Sequence, residues 1–379
     1  MQSINNLCFV IAGGTPKTNH PEYWNGNIPW ISIKDFPQVG RYISQTEKTI
    51  TESGLEHSAA HLLEPNDVII SARGTVGKAR LVSRRMAFNQ SCFGLRTKNT
   101  DVLNQLYLFY WLCSHLEEIR SGTHGAVFDT ITRSDFDRLK LDLPSIQRQQ
   151  HIVGVIGSVD DLIDNIGVQE ASTLKVITSM FLPFESKDLI PIKDYSPSII
   201  KPEITKFSDE KTYLDTSCVN EIDPIDYSYK VTFENRPLRA NMQPTIGSVW
   251  TAKMKGSFKV LNITELDKTI LNSCILSTGF LGVQSSQNLP ASFLFALFTS
   301  GPFRAKKDLI STGATMEAIN NKDFLSLMVP NATVKEMTAF DQTCSPILLR
   351  LSSLREEKQR LVAIKQQLLT KYFLNRHIS

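Results

Sequence analysis

At 379 residues the chain has room for two domains of ordinary size, and its 41% hydrophobic and 21% charged residues are those of a globular protein. A formal net charge of +3 excludes a nucleic-acid reading based on the whole-chain balance, so any such reading rests on where the charges fall. Six scattered cysteines without a C-x-x-C pair argue against a disulfide framework and a zinc site; no apolar run reaches the roughly 18 residues of a membrane span and no charged-then-apolar leader opens the chain, so a reducing cytoplasm is the expectation.

Short runs such as "IPWISI" and "DVIISA" in the first third, and "KVTF" and "SVWTAKM" further on, are bounded by Gly, Pro and Asn and predict strands and hairpins. Gly13-Gly14 lacks the strand-loop-helix surroundings of a cofactor loop. After the apolar run Val68-Ile69-Ile70 comes Gly74-Thr75-Val76-Gly77-Lys78. A phosphate-binding P-loop needs four residues between its glycines and a hydroxyl after the lysine; here two intervene and Ala79 follows. The spacing fits a hairpin tip that raises Arg73 and Lys78. From Arg73 to Lys98 seven basic residues (Arg73, Lys78, Arg80, Arg84, Arg85, Arg96, Lys98) occur with no acidic one, which predicts a local positive field. Asn89 and Gln90 lie within that stretch; their amides can pair bidentately with adenine, or simply cap a turn.

A helix is expected over Leu103 to Ile119, with a counterpart over Ser292 to Lys307. The reason for pairing them is an internal repeat. Gly125, Ala126, Ile131, Asp135, Phe136 and Leu139 return as Gly313, Ala314, Ile319, Asp323, Phe324 and Leu327, each displaced by 188 positions, and "LFYWLCS" from Leu108 matches "LFALFTS" from Leu294. "ISARG" before Gly74 has a fainter echo in "WTAKMKG" before Gly256.

Each copy runs through a proline, Pro144 or Pro330, into a helical segment. Ile152, Ile156, Val159, Ile163 and Ile166 are spaced 4, 3, 4, 3, the seam of a coiled coil. Ile347, Leu351, Leu354, Leu361, Ile364 and Leu368 describe a similar seam interrupted by Lys358, with Ser345-Pro346 as its expected start and a shorter helix over Thr333 to Thr343 before it. The prolines Pro183, Pro191, Pro197 and Pro202 mark a linker over 183–205. The expected organisation is α+β: a module over 1–144, a helix over 145–185, a related module over 186–332 and a second helix over 333–379, with the two long helices antiparallel.

Catalytic patterns are missing from the chain. "IDPIDY" from Ile222 has one proline where an adenine methyltransferase needs two, no G-x-S-x-G elbow occurs, and His57 and His61 are not joined by H-E-x-x-H.

"IAGGTPKTNHPEYWNGNIPWISIKDF" (Ile11 to Phe36), "DVIISARGTVGKARLV", "FNQSCFGLR" and "LPSIQRQQHIVGVIGSVDDLIDN" resemble the DNA-specificity subunit of type I restriction-modification systems. The resemblance covers nearly the whole first half; in the second it rests on the repeat, "ILSTGFLGVQ" (Ile275 to Gln284) and the last helix, while "YLDTSCVNEIDPIDYSY" stands where the Gly-Gly-Thr-Pro signature would sit. It implies a bacterial or archaeal protein with two target-recognition domains, each reading one half of a bipartite double-stranded DNA site, separated by the two helices. It also implies two modification (methyltransferase) subunits and two restriction (translocase and endonuclease) subunits as partners, and no membrane. No catalytic residue, metal or cofactor is expected on this chain; S-adenosylmethionine, ATP and Mg belong to the partners. The implied DNA contacts are Lys17, Thr18, Lys34, Arg73, Thr75, Lys78, Arg80, Arg84, Arg85, Asn89 and Gln90, then Lys253, Lys255, Lys259 and Gln284. The implied docking residues are Ile152, Ile156, Val159, Ile163, Ile166, Ile347, Leu351, Leu354, Leu361 and Leu368.

Two other readings stay open at this point. One is a self-sufficient methyltransferase or nuclease with degenerate motifs, which would bind S-adenosylmethionine as an isolated chain. The other is a coiled-coil scaffold for proteins, whose binding would lack the steep salt dependence of phosphate contacts.

Overall fold

The 4-3 spacing of isoleucines becomes one helix of 40 residues, Ile146–Glu185, and the last apolar repeat becomes one of 36, Val334–Leu369, in a computed structural model that describes residues 1–74, 76–115, 130–311 and 317–374. The chain divides into two units: residues 1–164 with 361–379, and residues 165–360. Each long helix therefore contributes one part to each unit, and within each unit the two parts pack antiparallel.

Unit 1 is built on two sheets. The first has the order Cys8–Ala12, Cys92–Thr97, Val68–Ser71, Ala79–Val82, Tyr42–Ile43, antiparallel except for its last pair. The second has the order Lys48–Ile50, Trp24–Ile31, Met86–Phe88, Leu62–Leu63, with a parallel pair in the middle. Val68–Ser71 is buried along its whole length, which is why its sequence shows no polar alternation. The helix Gln105–Ser114 starts where the Asn104 side chain accepts from the amides of Leu106 and Tyr107; it buries Tyr107 to Leu112 in succession, as an apolar helix must. The expected extension over 116–119 lies outside the described residues.

Unit 2 repeats this plan. One sheet runs Ser198–Ile199, Phe280–Gln284, Ser248–Ala252, Val260–Ile263; the other runs Lys230–Val231, Lys211–Leu214, Cys274–Ser277, Ala240–Met242, again with the central pair parallel. Each unit is closed by a short pairing beside the repeat, Gln2–Ser3 with Lys140–Leu141 and Leu189–Pro191 with Met328–Pro330. The repeated residues are core: Ile131 and Ile319 are buried, and Phe136 and Phe324 are completely so. Gly125, Ala126, Gly313 and Ala314 lie outside the described residues.

Two helix boundaries differ from expectation. Ser292–Lys307 is two helices, Ala291–Thr299 and Gly301–Ile310, because Ser300 caps the amide of Phe303 and Pro302 suits only a first turn. Conversely, Ser345-Pro346 does not begin a helix; Pro346 lies inside Val334–Leu369. A proline within a helix costs about 3 kcal/mol. Met337, Phe340, Cys344, Leu348 and Leu351 form an unbroken buried strip on both sides of it, and burying each large side chain stabilises by roughly 1.5–3 kcal/mol. Packing outweighs the missing amide bond.

The helices are also pinned by buried polar groups. In unit 1, Asp160 accepts from the Tyr110 hydroxyl at 2.8 Å and pairs with Lys365 at 2.7 Å. In unit 2, Arg355 pairs with Asp267 at 2.5 Å, and Lys358 with Asp223 at 2.7 Å and Glu170 at 2.8 Å. Burial, then the carboxylate of Asp223, holds Glu170 above the usual range, while Asp223 and Glu170 raise the Lys358 ammonium against the opposing effect of burial. Lys358, which interrupts the apolar seam, is thus a fixed ion partner. Removing one member of a buried pair strands the other, typically at 3–5 kcal/mol. Asp267→Ala should therefore lower urea-denaturation stability by about that amount, and adding Arg355→Met should recover part of the loss.

Candidate nucleic-acid interface

The strands Val68–Ser71 and Ala79–Val82 form the expected hairpin. Gly74 and Gly77 have φ of 76° and 85°, a conformation other residues rarely adopt, and they let the chain reverse while Gly77 N donates to Ser71 O at 2.9 Å. Arg73 and Lys78 are exposed at this tip, and neither side chain has an ion pair among the described residues. Thr75 lies outside the described residues.

Three other segments meet the tip. Ala72 N donates to Ser91 O at 2.8 Å, Gly14 N to Phe88 O at 2.9 Å and Asn89 N to Ile31 O at 2.9 Å. The hairpin tip, the turn 89–91, Gly14-Thr15 and the 3-10 turn Ile33–Asp35 therefore gather at one end of unit 1. Lys34 is exposed there. Gln90 is exposed and accepts from the Thr15 hydroxyl. Asn89 is used otherwise: its side chain accepts from Ser91 N at 3.1 Å, so it caps the turn. Gly13-Gly14 has a packing reason, since a Cβ on Gly13 would lie 2.1 Å from Asn89 O.

The remaining candidates of unit 1 are elsewhere. Arg80 donates to Ala79 O and Pro37 O, both at 2.8 Å, and burial pushes its pKa down. Arg84 and Arg85 are exposed at the opposite end of the hairpin strands, with Arg85 3.5 Å from Glu64. Arg96 is held by Asp67 at 2.5 Å. Lys17 and Thr18 are exposed beside the start of the second sheet, where Lys17 O accepts from the Trp24 indole at 3.2 Å. The run without acids in sequence is not without acids in space, because Glu64 and Asp67 come from the preceding loop. Its positive character contracts to Arg73 and Lys78, with Lys34 beside them.

Unit 2 has an equivalent end. Lys253 N donates to Gly279 O at 2.9 Å and Ile319 N to Lys253 O at 3.0 Å, the bonds that Ala72 makes with Ser91 O and Ile131 N. Lys253 therefore occupies the place of Ala72, and Met254 that of Arg73. The strand Lys211–Leu214 and the turn Thr216–Cys218 stand where Trp24–Ile31 and Ile33–Asp35 stand in unit 1, so "YLDTSC" takes the place of "WISIKD" and not, as expected, that of the Gly-Gly-Thr-Pro signature, which follows Cys8–Ala12.

The loop 253–259 is clamped from behind. The buried Lys307 ammonium donates to Ala252 O, Met254 O and Ser257 O at 3.2, 2.9 and 2.7 Å, and Asp308 accepts from Gly256 N at 3.0 Å. Lys255 is paired with Glu317 at 2.6 Å, and Lys259 donates to Thr216 O. Gln284 is at the far end of its strand; it donates to Ile246 O at 2.9 Å and accepts from the Thr245 hydroxyl at 2.7 Å, so it is structural rather than part of this face. Lys253 remains, joined by Arg239, whose carbonyl accepts from Thr278 N at 2.8 Å. Sequence reading missed Arg239 because its loop shows no sequence similarity to the segment that precedes Leu62–Leu63 in the first copy; only the fold locates it. Lys307→Met would leave three carbonyls without their donor, at about 1–3 kcal/mol for an unmet buried group. It should speed amide exchange across 253–259 while leaving exchange in unit 1 unchanged.

The seam residues named as docking contacts are used within their own units. Ile152, Ile156, Ile163, Ile166, Leu351 and Leu354 are buried, and Val159, Ile347, Leu361 and Leu368 are half-buried. Ile152 and Ile156 pack into the core of unit 1, and Ile347 and Leu351 into that of unit 2. A side chain without solvent access offers nothing to a partner, so the six buried residues hold the helices within their units, while Val159, Ile347, Leu361 and Leu368 keep part of their surface. Among the described residues no group of three or more His, Cys, Asp or Glu is arranged to hold a metal ion, and no helix is long and apolar enough to cross a membrane.

Comparison with known proteins shows what this chain is similar to. Residues 1–175 match the type I restriction modification DNA specificity domain. The type I restriction enzyme MjaIX specificity subunit of Methanocaldococcus jannaschii is 27% identical over 190 residues, 49% of this chain and 44% of that protein. The EcoR124I/EcoR124II specificity subunit of Escherichia coli is 29% identical over 163 residues, 41% of this chain and 39% of its own length. The matched stretches thus span less than half of either relative. Among solved structures, the type I restriction-modification S subunit from M. genitalium covers 98% of this chain and 94% of its own at 13% identity and a TM-score of 0.48. Residues 1–175 are thus similar to the DNA specificity domain of type I restriction enzymes, and the relatives that match this part of the chain carry the name of specificity subunits.

Proposed function

We propose that this chain is the DNA-recognition subunit of a type I restriction-modification enzyme and performs no catalysis of its own. The modules over 1–144 and 186–332 each read one half of a bipartite site in double-stranded DNA. The helical segments 145–185 and 333–379 carry the solvent-facing residues that two methyltransferase subunits would meet, and two restriction subunits join that assembly. S-adenosylmethionine, ATP and Mg act on those partners.

The observation that supports this reading best is the pair of equivalent ends. The two units share one strand order apart from the extra edge strand Tyr42–Ile43 of unit 1, and each gathers, at the same end, a hairpin loop, the turn after its central parallel strand and cations without ion partners among the described residues. Arg73, Lys78 and Lys34 stand there in unit 1, Lys253 and Arg239 in unit 2. Cations left unpaired at a loop tip suit phosphates, which position a protein on a duplex, while neighbouring side chains read base edges. The loops differ almost completely between the units, which suits two different half-sites.

Changing Arg73 and Lys78 together to alanine should weaken DNA binding and reduce the salt slope by about 1 to 2, one for each phosphate no longer neutralised. Affinity measured against salt concentration, on a variant with wild-type thermal stability, checks this. An unchanged affinity and slope would remove the hairpin from the interface.

A further inference from the structure

The loop 232–239 joins the strands Lys230–Val231 and Ala240–Met242 of unit 2. It is braced from within: Ala240 N donates to Pro237 O at 2.8 Å, and the Arg236 guanidinium lies 4.0 Å from the centroid of the Phe233 ring while donating to Phe233 O. Thr278 N donates to Arg239 O, and Gly279 O accepts from Lys253 N, so this loop and the loop 253–259 meet at the turn 277–279.

Two features there are unfavourable in isolation. Arg239 and Lys253 adjoin, and neither side chain has an ion pair or hydrogen bond among the described residues; burial, and then Arg239, push the Lys253 ammonium below its ordinary pKa. Beside them Leu238 is 98% exposed. A braced loop that holds a leucine in water and sets two cations together is suited to a partner offering acceptors and an apolar group at adjacent points. The major-groove edge of DNA does so: guanine O6 and N7 accept a bidentate arginine, and the thymine C5-methyl takes apolar contact.

Resting on the function proposed above, we propose that Arg239 reads a guanine and Leu238 the methyl group of a neighbouring thymine in the half-site of unit 2, with Lys253 on an adjoining phosphate. Bracing matters because a preformed loop gives up little freedom on binding. At the equivalent place in unit 1, before Leu62–Leu63, residues 57–61 hold no arginine or lysine, so the two units would read different bases.

The test uses the full chain assembled with its modification subunits and a duplex carrying the motif methylated in cells that express it. 7-Deazaguanine, which lacks the N7 acceptor, replaces each guanine of the motif in turn, and uracil, which lacks the methyl, each thymine. Wild type should lose about tenfold in affinity at one guanine, as expected for a good base contact. Arg239→Ala should lose as much on the unmodified duplex and nothing further with 7-deazaguanine at that position. Leu238→Ala should show the same relation to one uracil. Both variants must keep the wild-type melting temperature; one that does not is replaced by Arg239→Lys or Leu238→Ser. Normal affinity of the Arg239 variant for the motif, or equal weakening on motif and unrelated duplex, overturns the base-reading role. A wild-type complex that holds the motif no tighter than unrelated DNA removes the recognition function itself, and this pair with it.

Discussion

A guanidinium without access to water must be met by carboxylates, and Arg355 is such a group. It lies on the second long helix of unit 2, paired with Asp267, while Lys358 one turn further on is paired with Asp223 and Glu170. Pairs of this kind add little net stability, because desolvation cancels most of the attraction, but a helix placed in any other register would strand several buried charges. The ions therefore define where the helix sits on unit 2, and the apolar strip from Met337 to Leu351 supplies the burial. Asp160, held between Tyr110 and Lys365, performs the same service in unit 1. Placement of the loops relative to the helices follows from these pins.

On that frame the two units diverge only where divergence is cheap. Strand order, apart from the extra edge strand Tyr42–Ile43 of unit 1, the closing pairs and the buried Phe136 and Phe324 are common to both, whereas the loops at the equivalent ends differ in composition. Unit 1 presents Arg73 and Lys78 on a glycine hairpin. Unit 2 presents Lys253 and Arg239 on loops braced by Lys307 and Arg236. A loop at the end of a rigid sheet can exchange its side chains without disturbing the core, and a recognition protein needs that freedom.

Much of this was legible in the sequence. The isoleucine spacing revealed the first helix, and the 188-residue displacement revealed two related units, because core positions tolerate little change. Pro346 misled, since local propensity does not register the apolar strip on either side of it. The run from Arg73 to Lys98 also misled: its charges disperse to opposite ends of a hairpin, and its neutralising acids, Glu64 and Asp67, come from outside it. The echo of "ISARG" in "WTAKMKG" slipped by one residue, which only the strand pairing corrects. Arg239 left no trace, because nothing in one loop predicts which loop it will face.

The central claim is that each unit reads its own half-site. Single-molecule methylation mapping of DNA from cells that carry this chain with its modification subunits tests it most directly. The account predicts one methylated motif made of two specified halves of different sequence around an unspecified gap. A palindromic motif, or a methylation pattern unchanged when the chain is deleted, would contradict it.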